Sequence, residues 1–201
     1  DIYSAVFMGQ QNRPKAMGYF DFVISEVHGL RIKELIDAKE KGARVIGTYC
    51  VFVPEDLVLA AGAVPVGLCG GAQFSVPDAE AVLPRSTCSL IKSSFGFKTG
   101  RTCPYIQVSD LVVGETTCDG KKKMYELLAE LHPVYVMEVP QKKTDEGVKL
   151  FAAELRDFMG RLEELTGVRI TPAALEEQIE RVEAKKAAMR RLQALRSASP
   201  A

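Results

Sequence analysis

The segment from Gly114 to Leu128, GETTCDGKKKMYELL, combines residue types that could do chemistry. An apolar stretch leads into it, and Cys118 stands just before a predicted helix. The backbone N–H groups and the dipole at a helix N-terminus stabilise a thiolate and so lower the pKa of a thiol placed there. Lys121, Lys122 and Lys123 fall in the first turn, where cations are mildly unfavourable. A nearby anion would explain them, either a thiolate–metal cluster or a phosphate. A structural cysteine followed by solvated lysines is an equally compatible interpretation.

Two further cysteines are expected near Cys118. Cys50 follows the apolar segment 45–49, and Cys88 opens a predicted helix that Thr87 could cap. The carboxyl ends of parallel strands meet at one edge of a sheet, where ligands of such folds bind. We therefore expect the three thiols to converge at that edge.

The composition excludes several classes of function. The 201 residues carry 26 basic and 26 acidic side chains, so no global charge attracts nucleic acid or an anionic membrane. No apolar run is long enough for a membrane span, and no signal-peptide pattern occurs at the N-terminus. The five cysteines form no Cys-x-x-Cys pair. An odd cysteine count without a signal argues against a secreted disulfide framework. We predict a cytoplasmic protein whose thiols are reduced or bind metal.

Apolar segments and helical periodicities alternate along the middle of the chain. The pattern predicts an α/β fold, a Rossmann-like parallel sheet of about four strands with N-terminal helices and two long C-terminal helices. Pro65 favours an edge position for its strand. Gly100 and Pro104 predict a turn around Cys103. The predicted strands are 45–49, 64–68, 111–113 and 134–139, and the predicted domains are N-terminal helices at 1–42, an α/β cluster-binding lobe at 43–141 and a helical extension at 142–201.

Three motifs in order resemble a known family. They are an aromatic residue and Cys50 before Pro54-Glu55, Cys88 at the head of a helix with Lys92 four positions later, and a Cys-Asp pair after the next strand. Together with PVYVMEVPQ they resemble the 2-hydroxyacyl-CoA dehydratase superfamily over roughly residues 14–165. The CDGKKK wording is most similar to the double-cubane cluster proteins and the related benzoyl-CoA reductase-like branch.

The resemblance implies an iron–sulfur cluster held by Cys50, Cys88 and Cys118. This would be a [4Fe–4S] cluster with one open iron, or half of an [8Fe–9S] double cubane. The implied partners are an ATP-hydrolysing activase that donates low-potential electrons and a second lobe of the same chain, in a dimer. The sequence then corresponds to an N-terminal half. Cys69 and Cys103 lie outside the motifs and are interpreted as non-ligands.

Three functions stay open at this point. The first is a reductase lobe of the double-cubane type, the second a lobe of a 2-hydroxyacyl-CoA dehydratase, and the third a metal-free α/β interaction module. The resemblance favours reading the three lysines as compensation for cluster charge or as an activase-docking site. Four other basic residues could meet an anionic substrate or the activase, or form ordinary surface: Arg85, Lys92, Lys98 and Arg101. His28 and His132 are expected to be solvated or to cap helices.

Overall fold

The computed structural model describes residues 2–14, 16–27, 29–68 and 70–197. Cys69 and His28 lie outside the described residues. The four strands are β1 (Val45–Thr48), β2 (Val64–Gly67), β3 (Leu111–Glu115) and β4 (Val134–Met137). The helices in the described part of the chain are α1 (Ile2–Met8), α2 (Gly18–Glu26), α3 (Leu30–Glu40), α4 (Glu55–Ala60), α5 (Val76–Glu80), α6 (Ser89–Thr99), α7 (Pro104–Val108), α8 (Asp119–Ala129), α9 (Asp145–Thr166) and α10 (Pro172–Leu195).

The four strands form one parallel sheet in the order β2-β1-β3-β4. The chain first adds β2 on one side of β1 and then crosses to the other side of β1 to add β3 and β4, as in a doubly wound α/β fold. The predicted α/β fold class is thereby confirmed. Pro65 lies in β2, an edge strand of the sheet. Proline lacks a backbone N–H, and at an edge this does not interrupt the hydrogen bonds between interior strands.

Alternate residues of the central strand β3 point to opposite faces of the sheet and pack into different clusters of the core. Leu111 and Val113 point into one cluster, which also contains Phe158 and Leu162 of α9, both fully buried. Val112 points into the other cluster, together with Phe95 of α6 and residues of α8. This period of two is the ordinary geometry of a strand. The long helix α9 therefore helps to form the core of the sheet domain.

Glycine allows α6 to pack closely against the loop that follows β2. A Cβ atom at Gly96 would overlap the carbonyl oxygen of Ser75. Next to this contact the Ser75 and Ser93 hydroxyls are buried and hydrogen bonded to each other at 3.0 Å. The Ser93 hydroxyl also accepts the N–H of Gly71 at 2.8 Å, so α6 holds the loop in place.

We expect Gly96→Ala to lower the free energy of unfolding by about 1–3 kcal/mol, because the methyl group overpacks a close backbone contact. The matched control is Gly160→Ala in α9, where a Cβ would meet no atom within 4 Å. That change should raise the free energy of unfolding by roughly 0.5–1 kcal/mol, because alanine is the better helix former. Urea denaturation followed by circular dichroism measures both. Equal effects of the two substitutions would contradict the close packing at Gly96.

The connection between Gly100 and Pro104 agrees with the predicted turn around Cys103, and it leads into the short helix α7, with Cys103 as N-cap and Pro104 at the first position. Proline favours this position because its missing N–H would have no helical partner there. Helix α6 begins at Ser89, and Cys88 itself is the N-cap in place of Thr87.

Among the described residues, no helix combines the length and the apolar character that a membrane span would need.

Candidate functional site

The segments that carry Cys50 and Cys118 leave the sheet at the same edge. The Tyr49 N–H donates to the Val113 carbonyl at 2.9 Å, which extends the pairing of β1 with β3 up to the residue before Cys50. Strand β3 then ends at Glu115, three residues before Cys118. Both cysteines thus follow carboxyl ends of neighbouring parallel strands, where α/β proteins bind their ligands.

Cys50 has an unusual backbone. Its φ is +65°, in the left-handed region that residues with a Cβ rarely adopt. This conformation costs about 1–2 kcal/mol for a non-glycine residue. The thiol is free and its residue is exposed. A strained residue at the edge of a sheet is a feature typical of functional sites, where the surrounding structure maintains the strain.

Cys118 and Cys88 are the N-caps of two helices that run in the same direction. Near the N-termini, a Cβ at Gly120 would lie 2.6 Å from Cδ1 of Ile91. At the other end, Nζ of Lys98 in the last turn of α6 lies 3.0 Å from Nδ1 of His132, just beyond α8. Since α8 starts where β3 ends, both helix N-termini lie at the carboxyl edge of the sheet. Neither cysteine side chain makes a capping hydrogen bond within its helix.

The described residues contain no group of three His, Cys, Asp or Glu side chains close enough to hold one metal ion. Thiolates that hold an iron–sulfur cluster bind different iron atoms, so their sulfurs need not converge on a single point. Thiols are the donors that such clusters use. The convergence of Cys50, Cys88 and Cys118 on one cluster stays a prediction.

A pocket of about 300 Å³ opens beside Cys50 at this edge. Its lining combines Cys50 and Tyr49 with Leu90 of α6 and Lys121 of α8. Cys103 lines a different pocket, next to Phe74 and other apolar side chains. The structure thus separates Cys103 from Cys50.

Tyr125 lies under this edge with its hydroxyl buried and without a hydrogen-bond partner among the described residues. Burial raises the pKa of this phenol, and the charges of the Cys50 and Cys118 thiolates raise it further. The ring of Tyr49, the residue before Cys50, lies 6.1 Å from the Tyr125 ring, and Cys118 packs against the core cluster that contains both rings.

A buried ion pair lies beside the turn that leads to Cys118. The side chain of Glu115, the last residue of β3, is fully buried and forms an ion pair with Nζ of Lys121. It also accepts the backbone N–H of Thr117 at 2.7 Å, which fixes the turn leading to Cys118. This role of Glu115 was not predicted from the sequence. Its signal is an acidic residue directly after an apolar strand, with a lysine six positions later.

The other two lysines of the segment also have carboxylate partners. Nζ of Lys122 lies 2.8 Å from the Asp119 carboxylate, and Lys123 pairs with Glu126. The Asp119 carboxylate raises the pKa of Lys122 through a hydrogen bond and its charge. The chain itself therefore supplies the anions that the lysine run led us to expect.

Lys92 is buried and connects two parts of the segment that leads to Cys88. Its Nζ donates to the Glu80 carboxylate at 2.7 Å and to the Arg85 carbonyl oxygen at 2.8 Å. This corrects the interpretation of Lys92 as ordinary surface. Lys92 positions the loop before Cys88 and is not available to an external anion.

We expect Lys92→Met to lower the free energy of unfolding by about 1.5–3 kcal/mol, because a buried, charged donor of two hydrogen bonds is lost. Hydrogen exchange of residues 81–88 should accelerate, while exchange within α8 stays the same. The matched control is Lys33→Met, since the exposed Lys33 pairs with Asp37 on its own helix. An unchanged exchange rate in 81–88 would refute the positioning role of Lys92.

The remaining basic residues do not form one surface. Arg85 is exposed, while Lys98 and Arg101 line a pocket of about 410 Å³ at the C-terminal end of α6. His132 lies at that same end, and burial, followed by the charge of Lys98, lowers the pKa of His132 to about 4. Lys98, Arg101 and His132 therefore lie at the opposite end of α6 and α8 from Cys88 and Cys118.

The family model described as "2-hydroxyglutaryl-CoA dehydratase, D-component" matches residues 50–201, beginning at Cys50. The chain belongs to this family. The predicted resemblance to the 2-hydroxyacyl-CoA dehydratase superfamily is thereby confirmed. The match continues through α10, farther toward the C-terminus than the resemblance seen in the sequence.

The curated relatives that match the chain are longer than it is. It is 46% identical over 156 residues to YjiM of Escherichia coli strain K12, named as a candidate dehydratase subunit, which covers 77% of this chain and 41% of YjiM. It is 28% identical over 146 residues to the beta subunit of (R)-phenyllactyl-CoA dehydratase of Clostridium sporogenes, covering 71% and 38%. It is 26% identical over 162 residues to one of the subunits of the benzoyl-CoA reductase of Thauera aromatica, covering 78% and 41%. The chain thus spans about two fifths of the length of these relatives.

Proposed function

We propose that this chain is the cluster-binding lobe of an iron–sulfur enzyme, and that Cys50, Cys88 and Cys118 hold the cluster. The observation that carries the proposal is the placement of the three cysteines. Two of them cap parallel helices at the sheet edge where the third leaves β1. Residues 43–141 form this lobe in the proposal, and residues 142–201 connect it to a second lobe.

The chain's own residues would stabilise thiolates at this edge. The N-terminal N–H groups of α6 and α8 favour negative charge at Cys88 and Cys118. The Glu115–Lys121 pair fixes the turn before Cys118, and Lys92 fixes the loop before Cys88. A cluster held by three thiolates supplies an iron atom with a free coordination position.

The first candidate reaction is reduction of a small substrate at a double-cubane type cluster. The CDGKKK motif after β3 favours it, through its similarity to that branch of the superfamily. This lobe would supply three of the ligands, Cys50, Cys88 and Cys118, and a second lobe of the same chain would supply the others. An ATP-dependent activase would donate the low-potential electrons, and the working form would be a cytoplasmic dimer.

The second candidate reaction is elimination of water from a 2-hydroxyacyl-CoA thioester at a [4Fe–4S] cluster. The names of the relatives favour it, since they include the beta subunits of (R)-phenyllactyl-CoA dehydratase and lactoyl-CoA dehydratase. In this case the chain would act together with a second, different polypeptide.

One experiment separates the two reactions. The intact protein that contains this chain is purified without oxygen, reduced with titanium(III) citrate, and incubated with lactoyl-CoA, phenyllactyl-CoA or (R)-2-hydroxyglutaryl-CoA. Formation of the 2-enoyl-CoA supports the dehydratase. No elimination, together with activase- and ATP-dependent reduction of the cluster, supports the reductase. A protein free of iron and sulfide would support the metal-free module and overturn both.

A further inference from the structure

Tyr125 is held rigidly at the carboxyl edge of the sheet. It lies in α8, two helical turns after Cys118, and a helical side chain leans back toward the N-terminus of its helix. Its ring packs on the backbone of Gly114 so closely that a Cβ there would overlap the ring. On another side, the ring centroid of Tyr49 lies 6.1 Å away. These contacts hold the ring between β3 and Tyr49.

The hydroxyl of Tyr125 is an unusual group for an apolar core. The residue is 1% exposed, and its oxygen has no hydrogen-bond partner among the described residues. Leaving a buried polar group unpaired costs about 1–3 kcal/mol. Phenylalanine would fill the same apolar space without this cost, so the hydroxyl points to an acceptor that is in place only when a ligand is bound.

The surroundings identify the chemistry of that ligand. The two predicted ligands Cys50 and Cys118 belong to segments that pack against Tyr125. Cys118 packs against the same core cluster as Tyr125, and Cys50 follows directly after Tyr49. The Tyr125 O–H is a donor without an acceptor in the described part of the chain. A cluster held by Cys50 and Cys118 would bring sulfur acceptors to the same edge of the sheet.

We propose that the Tyr125 hydroxyl donates a hydrogen bond to a sulfur of the cluster, either the Cys50 or Cys118 thiolate or an inorganic sulfide. The proposal rests on the proposed function, since it takes the iron–sulfur cluster as its partner. Tyr125 is a positioning residue in this role. Hydrogen bonds to cluster sulfurs offset the added negative charge of the reduced state and raise the reduction potential.

The proposed hydrogen bond predicts opposite effects of Tyr125→Phe in the protein with and without the cluster. In the metal-free protein, Tyr125→Phe removes an unpaired hydroxyl, so the melting temperature should stay the same or rise. In protein reconstituted with Fe²⁺ and sulfide without oxygen, the variant should have a more negative reduction potential. It should also lose iron to a chelator roughly 10-fold faster, the lower end of the usual effect of removing a partner of a metal ligand.

The matched control is Tyr135→Phe. The Tyr135 hydroxyl donates to Glu154 at 2.6 Å on the opposite face of the sheet, so its loss should leave the potential and the iron release unchanged. Resonance Raman spectra supply a readout that does not depend on stability. Exchange into D₂O should shift Fe–S stretching bands of the wild-type protein, and this shift should shrink in Tyr125→Phe.

The outcomes separate this inference from the proposed function. If the wild-type protein takes up no iron and sulfide, the proposed function fails and the inference with it. If the wild-type protein forms a cluster whose potential, lifetime and deuterium shifts are the same in Tyr125→Phe, the inference alone is wrong. A lower melting temperature of the metal-free variant would show that the hydroxyl already has a protein partner, which also overturns it.

Discussion

Cys118→Ala is expected to reduce the iron bound per chain to roughly a tenth or less of the wild-type value. Cys118 is the N-cap of α8, at the carboxyl edge of the sheet, and is one of the three proposed ligands. The residue is only half-buried and makes no capping hydrogen bond, so its loss should not unfold the protein. Iron and acid-labile sulfide, assayed after reconstitution without oxygen, measure the effect.

The chain offers a close control in Cys103→Ala. Cys103 is also free, half-buried and an N-cap without a capping hydrogen bond, but it lies in a different pocket from Cys50. Its replacement should leave iron and sulfide at the wild-type level. Equal iron losses in the two variants would mean that Cys118 is not a ligand and that both substitutions act through packing.

Glu115→Ala is expected to lower the free energy of unfolding of the metal-free protein by about 3–5 kcal/mol, the usual result of removing one partner of a buried ion pair. The substitution leaves Lys121, whose side chain is 19% exposed, without its carboxylate. It also frees the Thr117 N–H, which the same carboxylate accepts at 2.7 Å. Urea denaturation measures the loss.

The control for this substitution is Glu126→Ala in the same segment. Glu126 pairs with Lys123 on the exposed face of α8. Exposed pairs contribute little, so the loss should stay below about 1 kcal/mol. If the Glu115 variant lost no more than the Glu126 variant, the ion pair would not be a structural support of the turn before Cys118.

The sheet could be predicted from the sequence because its signals are local. Apolar segments bounded by glycine and proline mark the strands, and Pro65 marks the edge strand. Helix ends also follow from single residues. Gly42, Gly62 and Gly167 adopt the positive φ that ends a helix without steric cost. The positions of Cys50 and Cys118 relative to the strands follow directly from these elements.

The supports of the site could not be predicted, because they depend on how neighbouring elements pack against one another in three dimensions. The burial of Lys92 depends on the packing of α6 against α5 and the following loop, and its partners are 12 and 7 residues away. A lysine is exposed in most proteins, so its burial contradicts the ordinary preference of the residue type. The unpaired hydroxyl of Tyr125 is likewise visible only when the ring is placed on Gly114.

The most direct measurement is the iron and acid-labile sulfide content of the protein prepared without oxygen, compared with a variant in which Cys50, Cys88 and Cys118 are all replaced by serine. We predict stoichiometric iron and sulfide in the wild-type protein and almost none in the triple variant, with both folded by circular dichroism. A triple variant that retains the wild-type iron, or a wild-type protein without iron, would contradict the assignment of these three cysteines as cluster ligands.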